Sequence, residues 1–152
     1  MESPTATPGP KTLILVPLDF EDASKRALDT ALELAAPLNA DIVALHVTRS
    51  AVAHPAELPA SFLERLSDEA HSAAERELQE LVNRISSLRT ILRTGDPENV
   101  ILSSIHELKP TLVIMGTHGR RGLSRLLLGS VAEHVLVRSP VPVMTVRADH
   151  PA

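Results

Sequence analysis

Residues 112 to 131 read LVIMGTHGRRGLSRLLLGSV, and their chemistry lies in the spacing Gly116-x2-Gly119-x9-Gly129-Ser130. A short apolar run, Leu112 to Met115, breaks at Gly116, where a residue without a Cβ can turn sharply off a strand end, with φ free to be positive. Gly119 and Gly129 are expected to leave backbone N–H groups uncovered, open to close approach by a phosphate. Ser130 stands where an N-cap belongs, and Glu133 three residues on completes a capping box. A helix N-terminus presents unpaired N–H groups and a partial positive charge, which suits an anion. Arg120, Arg121 and Arg125 add positive charge between the glycines, and His118 lies in the same loop, within reach of a phosphate. The loop lacks the lysine of a Walker A motif and the Gly-x-Gly-x-x-Gly of a dinucleotide fingerprint. Taken singly, each feature is a common turn or cap, and the arginines are a solvated face. Taken together at this spacing, they read as a phosphate site for a nucleotide.

These residues need a scaffold, and composition bounds its kind. The chain has 152 residues, enough for one domain with its own core. Apolar content of 43% and charged content of 22% are ordinary for a soluble globular protein. There is no cysteine, which excludes disulfides, thiolate-bound zinc and a thiol nucleophile. A formal net charge of −4 disfavours bulk attraction to nucleic acid or an anionic membrane. No apolar run reaches the length of a transmembrane helix, and MESPTATPGP lacks the basic start and apolar stretch of a signal peptide. A cytoplasmic protein is the expectation. Phe20 and Phe62 are the only aromatic residues besides histidine, so the core must be aliphatic, and a flavin would lack its usual stacking partners. His54, His71, His106, His134 and His150 show no ligand spacing, and no protein metal site is expected. His46 ends a strand.

Taken in order, residues 1–10 are rich in Pro, Ser, Thr and Gly and read as a disordered tail. Residues 11–148 form one domain, and residues 149–152 are a second tail. Thr12 to Val16 is a continuous apolar run, as suits a parallel strand buried on both faces, and it ends in Pro17-Leu18-Asp19. Asp22 or Ser24 can cap the following helix, whose apolar residues run from Ala27 to Leu38. Asp41 to Val47 is a second buried strand. Ser61 and Glu64 form a capping box before a long helix striped by Leu63, Leu66, Ala70, Ala74, Leu78, Leu81 and Ile85. Leu88 to Arg93 is a short strand whose charged ends suit a sheet edge. Asp96-Pro97-Glu98 starts a third helix, which Lys109-Pro110 stops. The glycine-rich stretch supplies the fourth strand and, from Ser130, the fourth helix. Val141 to Val146 is the fifth strand. Strand and helix alternate four times before this last strand, which implies a parallel sheet with helices on both faces. Right-handed crossovers restrict the strand order without forcing one.

The glycine spacing resembles the nucleotide-binding signature of the universal stress protein family, in its ATP-binding branch, and the likeness runs from Leu13 to Val146. The resemblance selects a doubly wound α/β fold: five parallel strands in the order 3-2-1-4-5, flanked by four helices, Rossmann-like or adenine nucleotide alpha hydrolase-like. In such a sheet ligands bind beyond the strands' carboxyl ends where the order reverses, here between the first and fourth strands. Pro17, Leu18 and Asp19 would then face Met115 and Gly116 across one crevice. Asp19 is a turn or cap residue in its own right, and as an acceptor there it suits the exocyclic amine of adenine. The resemblance places Asp19 and Val47 against the adenine, with Pro17 and Gly116 lining the ribose. It places Gly119, Gly129, Ser130, Val131 and Ala132 around the phosphates, with Arg120 and His118 in the same loop. Glu21 and Asp22 depart from the family pattern, which commonly has Ser or Thr there.

The resemblance implies an ATP-binding regulator of a stress response with at most slow hydrolysis, any Mg²⁺ riding on the phosphates. The loop has no lysine, and no carboxylate is evidently set to orient a water. Two alternatives stand beside it: an ATPase or phosphotransferase with Asp19 on Mg²⁺, and an interaction module that binds no nucleotide. The last strand, Val141 to Val146, lies at a sheet edge with unpaired backbone groups. The resemblance favours a homodimer through it, with no nucleic acid or membrane partner.

Overall fold

Apolar runs without polar alternation become the inner strands of one sheet, because a parallel strand covered by helices on both faces has no wet side. The computed structural model describes residues 11–50, 58–118 and 128–148. In chain order the elements are β1 (Thr12–Leu18), α1 (Asp22–Ala35), β2 (Ala40–Thr48), α2 (Ala60–Arg84), β3 (Leu88–Thr94), α3 (Pro97–Leu108), β4 (Leu112–Gly116), α4 (Ser130–Arg138) and β5 (Val143–Val146). The strands are all parallel and ordered β3-β2-β1-β4-β5, the doubly wound arrangement expected. The tails at residues 1–10 and 149–152 lie outside the described residues. No described helix is long and apolar enough to cross a membrane.

Side-chain alternation along the strands builds two cores. Ile14, Val16, Ile42, Ala44 and Ile114 face α1, where Ala27, Leu28 and Ala31 meet them, and Leu81 of α2 with Ile85 just past its end joins the same layer. Leu15, Val43, Leu45, Val113 and Met115 face the other way, onto Ile101 and Ile105 of α3 and Ala132 and Val135 of α4. Both layers are aliphatic, as the scarcity of aromatics requires.

Pairing decides where the sheet opens. β1 pairs with β2 over its whole length, from Thr12↔Ala40 to Leu18↔His46. With β4 it pairs only at Ile14↔Leu112 and Leu15↔Val113. Beyond these two pairs β1 and β4 part toward their carboxyl ends, and Pro17 has no N–H to give to either neighbour. β1 itself is longer than the apolar run suggested, since Pro17 and Leu18 remain in register with β2.

Local starts and stops differ from expectation in several places. α1 begins at Asp22 with Glu21 at its N-cap, and neither Asp22 nor Ser24 caps it. α2 begins at Ala60 after Pro59, whose carbonyl takes the N–H groups of Phe62 and Leu63, so Ser61 falls inside the helix and makes no capping box. Its apolar stripe is buried at Ala74 and Leu78, while Leu66 is exposed together with Phe62. β5 starts at Val143, because Ser139 Oγ donates to the Val141 carbonyl and accepts from its N–H, holding that segment in a turn. The start of α3 is as read: Asp96 accepts from the Asn99 N–H at 3.1 Å, and Pro97 occupies the first turn.

Candidate functional site

The parting of β1 and β4 opens a cleft of about 800 Å³ at the strands' carboxyl ends. Of the residues singled out from sequence, Pro17, Leu18, Asp19, Val47, Met115, Gly116, His118, Gly129, Ser130, Val131 and Ala132 line it. Gly119, Arg120, Arg121 and Arg125 lie outside the described residues.

Asp19 sits at the cleft mouth and organises the turn into α1. Its Oδ1 accepts from Ser24 Oγ at 2.7 Å and from the Glu21 N–H at 3.0 Å. Among the described residues nothing bonds its second oxygen, which remains an acceptor. The turn is tight: Phe20 has φ 64° in the left-handed region, and its ring packs on His46 at 4.5 Å between centroids. The Leu18 carbonyl accepts from His46 Nδ1 at 2.6 Å, so that nitrogen carries the proton. His46 thus pins the end of β1 and is not among the cleft-lining residues. It alternates with Leu45 and Val47, so its side chain leaves the opposite face of the sheet.

Gly116 is small for a reason the sequence did not disclose. Its φ is not positive. A Cβ there would lie 2.7 Å from the Ala23 carbonyl carbon and the Ser24 nitrogen, so the end of β4 touches the first turn of α1. Gly129 also plays a different part from the one expected. Its N–H donates to the Thr117 carbonyl at 2.7 Å and is not open to a ligand. A Cβ on Gly129 would lie 2.8 Å from that same oxygen. This bond ties the two ends of the segment between β4 and α4.

The start of α4 accordingly departs from a serine cap. Gly129 is the N-cap, Ser130 is the first helical residue, and no described side chain caps the helix. The Ser130–Glu133 capping box does not form, and the Glu133 N–H bonds the Gly129 carbonyl in ordinary helical fashion. The N–H groups of Ser130, Val131 and Ala132 have no intrahelical acceptor, as in any first turn, and these three residues line the cleft's α4 end. Beside them, Thr117 Oγ1 and His118 Nδ1 are buried without a hydrogen-bond partner among the described residues, and Thr117 is only 6% exposed. Buried polar atoms left unpaired are costly, so these two fit a ligand that supplies the missing bonds.

A second helix start enters the same cleft and is its opposite. α3 contributes Pro97 and Ile101. Its Asn99 N–H is already taken by Asp96, and Pro97 has no N–H, so less of its first turn is left over. Among the described residues, the α4 N-terminus has more unpaired N–H groups than that of α3. Glu21, Ser24, Leu45, Arg49, Pro97, Ile101 and Thr117 also line the cleft and were not expected as site residues, although Glu21, Ser24 and Pro97 were read as turn, cap or helix-start positions. Leu45 and Arg49 could have been found by extending the period of two from Val47. The residues of α3 follow only from its packing.

The sequence profile of the universal stress protein family matches residues 12–147. A universal stress protein of Bacillus subtilis is 31% identical over 144 residues, covering 88% of this chain and 97% of that protein. Among solved structures, universal stress protein UspA from Lactobacillus plantarum superposes with a TM-score of 0.74 at 27% identity, over 90% of this chain and 97% of that one. A universal stress protein family member from Arabidopsis thaliana with AMP bound shares the fold, with a TM-score of 0.61 at 21% identity over 91% and 92% of the two chains.

Proposed function

Since the chain belongs to the universal stress protein family, we propose that it binds an adenine nucleotide in the β1–β4 cleft and acts as an ATP-dependent regulator in a stress response. The observation that carries this reading is the uncapped start of α4 beside two orphaned polar atoms, Thr117 Oγ1 and His118 Nδ1. The N–H groups of Ser130, Val131 and Ala132 take phosphate oxygens, favoured by the helix dipole. The capped, proline-led start of α3 offers a phosphate less than the start of α4 does, which favours one direction for the ligand: phosphates toward α4, base toward β2 and α3. Asp19 accepts the exocyclic amine with the oxygen that its own turn leaves over. Pro17 and Gly116 flank the ribose, and Val47 gives the base an aliphatic surface. ATP brings its own Mg²⁺ on the phosphates, because no ring of carboxylates waits for one among the described residues. A protein of the same fold takes AMP, which supports the adenine nucleotide class.

Hydrolysis is slow at most in this reading, since none of the described residues lining the cleft is a lysine and Asp19 is engaged in its turn. The partner surface is a second copy of the chain. β5 is an edge strand, and Met144 on it lies 39% exposed while Leu136 and Val137 of the adjoining α4 lie 46% and 72% exposed. Pairing across a two-fold axis would cover these and satisfy the free edge.

The test begins with the purified chain, denatured and stripped of protein. The chain has no Trp, Tyr or Cys, so an adenine-like ultraviolet band stands clear of it. Near-stoichiometric adenine nucleotide, or a micromolar Kd for ATP by titration, supports the reading. Absence of both overturns it. Steady-state turnover of about 1–100 per second, as in ordinary kinases, would replace the regulator with an enzyme.

A further inference from the structure

We infer that Arg49 also holds the base, its guanidinium stacking on the adenine ring at the β2 end of the cleft. The inference rests on the nucleotide reading and adds to it a contact outside the glycine signature. Strand order supplies the distance. β1 lies between β2 and β4, so the end of β2 is two strand spacings, about 10 Å, from the end of β4. A nucleotide with its phosphate on α4 therefore brings its base, not its phosphate, to β2.

Arg49 is rooted firmly. The Thr48 carbonyl accepts from the Gly95 N–H at 2.9 Å, and Thr48 Oγ1 bonds Thr94 Oγ1 at 2.8 Å. Val43 and Leu45 of β2 are buried in the α3–α4 layer, Val47 packs against it, and Arg49, one residue past the strand's end, stands at the rim of the same cleft. Arg49 is exposed and makes no salt bridge or hydrogen bond with any described residue. Around it the lining is aliphatic: Leu45, Val47, Pro97 and Ile101. Phe20, the nearest aromatic in sequence to the cleft, packs on His46 and does not line it. A base sandwiched here has aliphatic surface on one side and one planar group, Arg49, for the other. A guanidinium plane stacks on bases and adds a cation–π attraction that a point charge lacks geometry to match.

The test is calorimetric titration of AMP into the full chain, comparing wild type with R49M and R49K. Arg49 is exposed and has no partner among the described residues, so both variants should keep the wild-type far-ultraviolet circular dichroism and urea midpoint. R49M is expected to weaken AMP about tenfold. R49K keeps the charge but loses the plane, and is expected to recover less than half of that loss on a logarithmic scale. Wild-type affinity in R49K would mean that charge alone matters and would overturn the stacking assignment. Unchanged affinity in R49M would overturn any role for Arg49, leaving the nucleotide site intact. A wild-type chain that binds no AMP or ATP would remove the site itself.

Discussion

Replacing Gly116 with alanine tests the junction on which the cleft depends. The added Cβ would stand 2.7 Å from the Ala23 carbonyl carbon and the Ser24 nitrogen, and 2.8 Å from Ala23 Cβ. A relaxed carbon–carbon contact is about 3.5 Å, so roughly 0.8 Å must be found. It cannot come from a rotamer change, because the atoms met are backbone or the first side-chain carbon. Either β4 or the first turn of α1 has to move, and both are anchored: Met115 and Ala23 are buried, and Ser24 is bonded to Asp19. Overpacking of this kind costs about 1–3 kcal/mol, and rigid neighbours put Gly116 at the upper end. Alanine also restricts the unfolded chain, which returns about 0.4–1 kcal/mol where the backbone conformation is compatible, as the absence of a positive φ implies. The net expectation is a loss of about 2 kcal/mol, or about 4–8 °C in Tm for a chain of this size. Urea unfolding followed by far-ultraviolet circular dichroism measures it. Because Ser24 holds the Asp19 carboxylate, AMP affinity should fall with stability. A variant within about 0.5 kcal/mol of wild type, or more stable than it, would refute the close-approach argument.

Three further outcomes are expected. Asp19→Asn keeps the Oδ1 acceptor for Ser24 and Glu21 but replaces the oxygen offered to the base with an amide NH2, which donates and cannot accept; AMP should bind about tenfold more weakly by titration with little change in Tm. Unaltered binding with lost ATP turnover would instead favour the enzyme reading. Asp96→Ala strips the Asn99 N–H of its cap and should cost about 1 kcal/mol in urea unfolding, without altering nucleotide affinity. Val137→Glu places a charge on a side chain now 72% exposed beside the β5 edge, and should convert a dimer to a monomer by light scattering at micromolar concentration; a wild-type chain that is already monomeric would remove this interface.

Much of the scaffold was legible because it depends on short-range rules. Runs such as Leu13 to Val16 and Ile42 to Leu45 must be buried, and helices cut to period lie between them. The Asp96-Pro97-Glu98 start was readable because a cap involves residues only three apart. The start of α4 was misread for the same reason. Ser130 and Glu133 satisfy a local rule, but Gly129 already takes the N-cap place through a bond to Thr117, twelve residues away. The start of α2 failed likewise, where the Pro59 carbonyl takes the Phe62 and Leu63 N–H groups and the helix begins one residue ahead of Ser61.

By itself, then, the chain determined its element types, an aliphatic core and a glycine-bearing passage from a strand into a helix, since these depend on spacing within a few residues. Its likeness to a family selected the order of the strands. Tertiary structure alone decided what the start of α4 can offer. It consumed the Gly129 N–H, and among the described residues it left those of Ser130, Val131 and Ala132 without acceptors and buried Thr117 Oγ1 and His118 Nδ1 without partners; it also set Arg49 at the cleft's β2 rim. The physical reason is that a hydrogen-bonding group is free or spent according to what lies beside it in space. Here those neighbours come from strands and helices far apart in sequence.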